Sequence, residues 1–141
     1  LSQLLVHDEP QPLHDLMVKD RNGNNVPLTS ISKRMMVVNY WATWCPPCRD
    51  EMPALAQLDK VSGDTFDVFA VSTDRGGYSK ALEFYEAINI DKPTLFADPS
   101  GKSARALGLR GLRATLIVSP QGYEVAGFFG PAHWDDPKIV T

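Results

Sequence analysis

The sequence predicts an α/β domain built on a mixed sheet, and three observations predict it. Short apolar, β-branched runs alternate with segments of helical spacing. The last two apolar runs flank a tight turn. Cys45 and Cys48, the two cysteines of the chain, sit three apart where an apolar run gives way to a helical pattern. At 141 residues with 43% hydrophobic content, the chain is long enough for one compact domain with a core of its own, so a single domain is expected over residues 1–141.

Residues 13–18 and 26–28 flank Asp20-Arg21-Asn22-Gly23-Asn24, a turn signal, and read as a short hairpin ahead of the main fold. Residues 35–40 are a buried strand. From Pro46 to about Lys60 the spacing becomes helical, with Met52, Leu55 and Leu58 at intervals of three and Gly63 as a stop. Pro53 lies inside this helix, and an interior proline removes one backbone hydrogen bond, so a kink is expected one turn beyond Cys48. Residues 66–72, rich in branched and aromatic side chains, mark a second central strand. A helix over 78–88, a short strand over 94–97 and a helix over 100–107 follow. Residues 114–118 and 125–129 then form a hairpin across Ser119-Pro120-Gln121-Gly122. Residues 131–141 read as the opening of a last helix that the sequence does not complete.

A net charge of -3 with scattered lysine, arginine and acids gives no basic stripe, which excludes nucleic-acid binding. The apolar runs are far shorter than the ~20 residues that span a bilayer, and no signal-peptide pattern opens the chain. A start at Leu1 fits either a trimmed piece or a mature part whose targeting or anchoring segment has been removed.

A Cys-x-x-Cys ring is too small to restrain the unfolded chain much, yet it cycles between dithiol and disulfide with little backbone movement. Its attacking species is the thiolate, and a cysteine at its ordinary pKa of about 8.5 is mostly protonated at neutral pH. Placing Cys45 at a helix start aims unpaired backbone N–H groups at its sulfur, a stabilisation of the anion by about 0.3 to 2 kcal/mol. Pro46, at the first helical position, loses no needed donor and stiffens the turn. Cys48 lies nearly one turn later, on the same side and covered by the chain. Cys45 is therefore the expected nucleophile and Cys48 the resolving thiol. No separate cofactor is expected, because the Cys45–Cys48 disulfide is itself the redox group. A structural zinc site would need four ligands, and His7, His14 and His133 lie far from the cysteines with no ligand spacing, so no metal site is expected.

With these residues on view, the chain resembles the thioredoxin superfamily, and within it the TlpA/ResA-like branch of extracytoplasmic thiol-disulfide oxidoreductases. The matching pieces are Leu16-Met17-Val18-Lys19-Asp20 through Gly23 and Val26, and then Val37-Val38-Asn39-Tyr40-Trp41-Ala42-Thr43-Trp44-Cys45-Pro46-Pro47-Cys48-Arg49-Asp50-Glu51-Met52-Pro53. A strand-helix insert from Thr94 to Leu107, preceded by Pro93, is similar to this branch as well. The resemblance implies a thioredoxin-like fold with a four- or five-stranded central sheet flanked by helices and the active site at the tip of the kinked helix. It implies a periplasmic location with an amino-terminal membrane anchor and a reducing role. Its implied partners are client proteins with disulfides, of apocytochrome c or copper-chaperone type, and a membrane electron donor of the thiol-reductase type. A monomer is expected.

Glu51 matches the family's acidic residue near the resolving cysteine. Three residues after Cys48 it shares a helix face and is placed to take or return that thiol's proton, whereas a first-turn acid such as Asp50 can simply complement the helix dipole. The resemblance favours proton transfer for Glu51. Trp44 beside the nucleophile, with Pro46, reads as an apolar rim for partner docking, while Trp41 reads as core. Thioredoxin-like proteins place a cis-proline beside the cysteines in a Gly-x-Pro-Thr step; here the run is Gly111-Leu112-Arg113-Ala114-Thr115, with Arg113 where proline is expected. Pro93-Thr94 is the other candidate for that step, but it would leave the terminal hairpin without a place. Leu112 and Arg113 are thus expected to contact the partner, with Arg113 either lowering the Cys45 pKa or pointing into solvent. The competing functions are a disulfide donor or isomerase and a non-catalytic copper carrier. A peroxidase is disfavoured because Ala42 stands three residues before Cys45, where a hydroxyl residue would be expected.

Overall fold

The structure, a computed structural model, describes residues 3–13, 15–107 and 114–129. Its strands are β1 (Gln3–Pro12), β2 (Met17–Lys19), β3 (Asn25–Pro27), β4 (Met35–Trp41), β5 (Phe66–Ser72), β6 (Thr94–Ala97), β7 (Ala114–Val118) and β8 (Tyr123–Phe129). Its helices are α1 (Pro46–Ser62), α2 (Tyr78–Ala87) and α3 (Lys102–Ala106), with a single 3-10 turn at Leu28–Ser30. The described strands form one mixed sheet in the order β1-β8-β7-β4-β5-β6-β2-β3. Central β4 runs parallel to β5, from Met35↔Phe66 to Trp41↔Ser72, and antiparallel to β7.

This sheet of eight described strands is larger than the four or five implied by resemblance, because both edges are extended. The β2–β3 hairpin expected near the start docks on β6 through Lys19↔Ala97. β1, which the sequence reading did not anticipate, pairs antiparallel with β8. Its sequence hides it: Pro10 and Pro12 and the polar His7-Asp8-Glu9 interrupt any period-two pattern. Proline lacks the donor that a central strand needs, and β1 lies where proline is tolerated, on an edge.

Alternation along the strands divides the apolar side chains between two faces. Val37 and Trp41 of β4, with Phe66, Val68 and Ala70 of β5 and Leu95 of β6, pack under α1 and α2. Met36, Val38 and Tyr40 of β4, with Phe69, Val71, Phe96, Leu116 and Val118, pack on the opposite face against Leu13, Val18 and Leu28, with Ala104 and Leu107 at the margin. Helix α1 buries Cys48, Glu51, Met52, Leu55, Leu58 and Ser62, a spacing of three and four that forms one stripe. It runs through Pro53, which is exposed, and ends at Gly63 with φ 56°, a left-handed backbone that favours glycine. Among the described residues no helix is long and apolar enough to cross a membrane.

The expected limits of β5, β6 and β7 coincide with those observed, and β8 begins at Tyr123, two residues before the expected start at Val125. The helix expected over 100–107 is shorter, Lys102–Ala106, because the preceding residues form the turn that leads into it. Gly101 N–H donates to the Asp98 carbonyl at 2.9 Å, and the Asp98 carboxylate accepts from Ser103 N–H at 3.1 Å, Ser103 Oγ at 2.7 Å and Ala104 N–H at 3.2 Å. Tyr40 Oη and Ser103 Oγ, 2.8 Å apart, join this cap to β4, and burial pushes the Tyr40 phenol well above its ordinary range. A cis peptide precedes Pro93, ahead of β6 and thus at the end of the parallel strands away from the cysteines. The Leu112–Arg113 bond and the helix expected over 131–141 lie outside the described residues, as do His14 and His133.

Asp67 of β5 accepts hydrogen bonds from the Arg34 guanidinium and the Ser32 hydroxyl, and the Arg34 bond holds its carboxyl below the usual carboxylate range. Its folded pKa is therefore below its unfolded value of about 3.9, so its contribution to stability is complete above that value and is lost as the pH falls through the folded pKa. Asp67→Asn is expected to lower the urea midpoint at pH 7. The gap from wild type should close on acidification below about pH 4, which urea titrations across that range would measure.

Candidate active site

The chain leaves the sheet after Trp41, turns through Ala42, Thr43 and Trp44, and enters α1 at Cys45. Cys45 N–H donates to the Ala42 carbonyl at 3.2 Å, and the Cys45 carbonyl accepts from Arg49 N–H at 3.1 Å, which closes the first helical turn. Cys45 is the N-cap, with extended backbone (φ -103°, ψ 102°), and Pro46 and Pro47 fill the first two helical positions, where a missing N–H has no helical partner to lose. The two cysteines form a disulfide with their Cα atoms 5.2 Å apart.

The pair is asymmetric. Cys45 is half-buried at the rim, whereas Cys48 is 2% exposed and belongs to the apolar cluster under α1 and α2. Trp41 closes that cluster from below, 1% exposed, with its ring 5.5 Å from that of Phe84 and 5.9 Å from that of Tyr85. Trp44 is 67% exposed and Pro46 is exposed, so both flank Cys45 on the solvent side. Glu51 is 8% exposed and lies on the same stripe of α1 as Cys48, one turn further on. Leu112 and Arg113 lie outside the described residues.

One residue of this region escaped the sequence reading. Asp74, just past β5, is 3% exposed and accepts from Thr43 N–H at 3.0 Å and from Thr43 Oγ at 2.7 Å. It was hidden because Thr73-Asp74-Arg75-Gly76-Gly77 reads as an ordinary polar turn. The available signal was its place at the end of a strand parallel to the cysteine-bearing one, where ligands and reactive groups gather in α/β sheets. Beside Thr43 a cleft of about 300 Å³ is lined by Arg49, Lys80, Glu83 and Phe84, with the Arg49 guanidinium 5.9 Å from the Phe84 ring centre. Among the described residues no group of three or more His, Cys, Asp or Glu side chains is placed to share a metal ion.

A disulfide at the head of the helix that follows the central strand of a mixed sheet is the arrangement of thioredoxin-like proteins. A solved DsbF homologue from Corynebacterium diphtheriae shares this fold, with a TM-score of 0.74 and 24% identity over 97% of this chain and 90% of that one. The chain belongs to the AhpC/TSA family, whose model matches residues 10–123. It is 39% identical over 64 residues to the thioredoxin-like protein YneN of Bacillus subtilis, covering 45% of this chain and 38% of that protein. To the thiol-disulfide oxidoreductase ResA of Bacillus subtilis it is 25% identical over 111 residues, covering 77% of this chain and 60% of ResA. The matched parts thus span between 38% and 60% of the length of these two relatives.

The burial difference between the sulfurs has a direct chemical consequence. After reduction, alkylation by iodoacetamide at neutral pH should modify Cys45 at least about tenfold faster than Cys48, since the reagent needs an accessible thiolate. Peptide mass spectrometry over time would show the order; equal rates would contradict the assignment of Cys45 as the nucleophile.

Proposed function

We propose that the protein is a thiol-disulfide oxidoreductase that reduces disulfides of client proteins through Cys45 and Cys48. The observation that carries this reading is the asymmetric disulfide itself, with Cys45 capping α1 at the surface and Cys48 enclosed in the core. The Cys45 thiolate attacks one sulfur of the client disulfide, forming a mixed disulfide and releasing one client thiolate. Cys48 then loses its proton and attacks the Cys45 sulfur, which closes the Cys45–Cys48 bond and releases the second client thiolate. Two electrons and two protons pass to the client, and an upstream dithiol of the membrane thiol-reductase type restores the pair. The redox group is the disulfide, so the reaction needs no separate cofactor.

Glu51 takes the proton of Cys48 as that thiol becomes a nucleophile in a site where an uncompensated anion is costly. Trp44 and Pro46 supply the apolar rim on which the client settles, with Leu112 and Arg113 as further contacts. The TlpA/ResA-like relationship supports a periplasmic setting with an amino-terminal anchor. It also supports clients of the apocytochrome c or oxidase copper-site type, met by a monomer. A peroxidase is disfavoured because Ala42, buried and without a hydroxyl, stands three residues before Cys45.

The deciding measurement is the reduction potential of the Cys45–Cys48 pair, by equilibration with a thiol redox buffer. A value near -270 mV is expected for a reductant of this fold, and one near -120 mV would make the protein a disulfide donor. Glu51→Gln should slow the resolving step by about a hundredfold and move its pH profile while leaving the attack by Cys45 in place. Stopped-flow traces of a pre-formed mixed disulfide would test this, and an unchanged profile would remove Glu51 from the mechanism.

A further inference from the structure

We infer that Asp74 is a positioning residue for the redox centre: its buried carboxylate locks Thr43 and thereby holds Cys45 in place at the N-terminus of α1. This rests on the thiol-disulfide reading above and concerns what sets the reactivity of that site. The contacts are unusually complete for a loop residue. One carboxylate oxygen accepts from Thr43 Oγ at 2.7 Å and the other from Ser72 Oγ at 2.6 Å, while Thr43 N–H is shared between them at 3.2 and 3.0 Å. Ser72 Oγ in turn accepts from Asp74 N–H at 3.1 Å, so the carboxylate is fixed from its own backbone as well. Alongside, Thr73 N–H donates to the Trp41 carbonyl at 2.9 Å.

The turn that delivers Cys45 is therefore stapled to the end of β5 at Trp41 and at Thr43. Each group that Asp74 faces in these contacts is a donor, which an ionised carboxylate satisfies with acceptors alone. An asparagine has one acceptor oxygen and would turn an N–H₂ toward either Thr43 or Ser72. If Thr43 shifts, Cys45 loses its alignment with the positive end of the α1 dipole, and the stabilisation of its thiolate weakens with it.

Charge makes the opposite prediction to position. A buried anion near Cys45 disfavours a second anion, so removing it should make the thiol more acidic, whereas loosening the turn should make it less acidic. Thr43→Val separates the two, because it removes one hydrogen bond to Asp74 and leaves every charge in place. Arg49, Lys80 and Glu83, which line the cleft with Thr43, are also unaltered.

The test follows the pH dependence of Cys45 alkylation in the reduced wild-type protein and in Asp74→Asn, Thr43→Val and Thr43→Ser, together with exchange against a small-molecule disulfide. Both Asp74→Asn and Thr43→Val should raise the Cys45 pKa and slow its attack at pH 7 by about threefold or more, through loss of thiolate. Thr43→Ser, which keeps the hydroxyl, should recover what Thr43→Val loses. If Asp74→Asn does not fold, the Thr43→Val and Thr43→Ser pair decides alone. A lower pKa in Asp74→Asn with none of the change in Thr43→Val overturns positioning in favour of charge. Lower stability with an unaltered Cys45 profile in all variants reduces Asp74 to scaffolding. Failure of the wild type itself to exchange with the disulfide overturns the proposed function and this inference together, whereas exchange unaltered by the variants overturns the inference alone.

Discussion

Strands β4 and β5 pair in parallel along the whole of their length, and this register places Trp41 opposite Ser72. Both chains therefore leave the sheet at the same level, and the two loops that follow lie side by side. Thr73 reaches the Trp41 carbonyl and Asp74 reaches Thr43 because neither loop has any height to make up. A slip of one residue would turn Trp41 to the other face and carry Asp74 out of reach of Thr43. The position of Cys45 in space is thus set by strand pairing before any side chain of the site acts.

The two apolar layers give the site its one-sided character. Odd-numbered Val37 and Trp41 of β4 face α1 and α2, and even-numbered Met36, Val38 and Tyr40 face the layer formed by the amino-terminal segment and α3. Helix α1 follows β4 directly and must cover the Trp41 face, so its buried stripe begins with Cys48. Cys45, as N-cap, precedes the first full turn and remains at the rim. The difference in exposure between two cysteines only three residues apart thus comes from where the helix starts. Sequence alone holds that information in Pro46 and Pro47, which mark the first turn.

The elements around the cysteines were legible because local chemistry and tertiary packing agree there. The limits of β5, β6 and β7 follow from branched and aromatic runs bounded by turn residues, and the terminal hairpin follows from Ser119-Pro120-Gln121-Gly122. β1 was not legible, since its pairing to β8 is a long-range backbone contact that its own prolines and charged residues argue against. Asp74 was illegible for a related reason: its partner Thr43 is 31 residues away in sequence, and the contact exists only because β4 and β5 are in register. Glu51 and Cys48 were legible together because one helical turn joins them and no tertiary knowledge is needed.

Two acids are buried close to the cysteines in the fold, Asp74 beside Thr43 and Glu51 on α1. Asp74 accepts from the Thr43 N–H and from the hydroxyls of Thr43 and Ser72, so its oxygens are committed to holding the turn. Glu51 lies instead on the buried stripe of α1 that contains Cys48. In the proposed reaction the two sulfurs need different help. Cys45 can carry negative charge at the helix start, where the helix dipole and solvent stabilise it. Cys48, enclosed by Trp41 and Met52 in the same cluster, cannot hold a charge at comparable cost, so its proton must move as its bond to Cys45 forms or breaks. In the proposed reaction, a carboxylate that fixes the nucleophile's geometry and another that manages the resolving thiol's proton meet the two requirements that an asymmetric dithiol imposes on its surroundings.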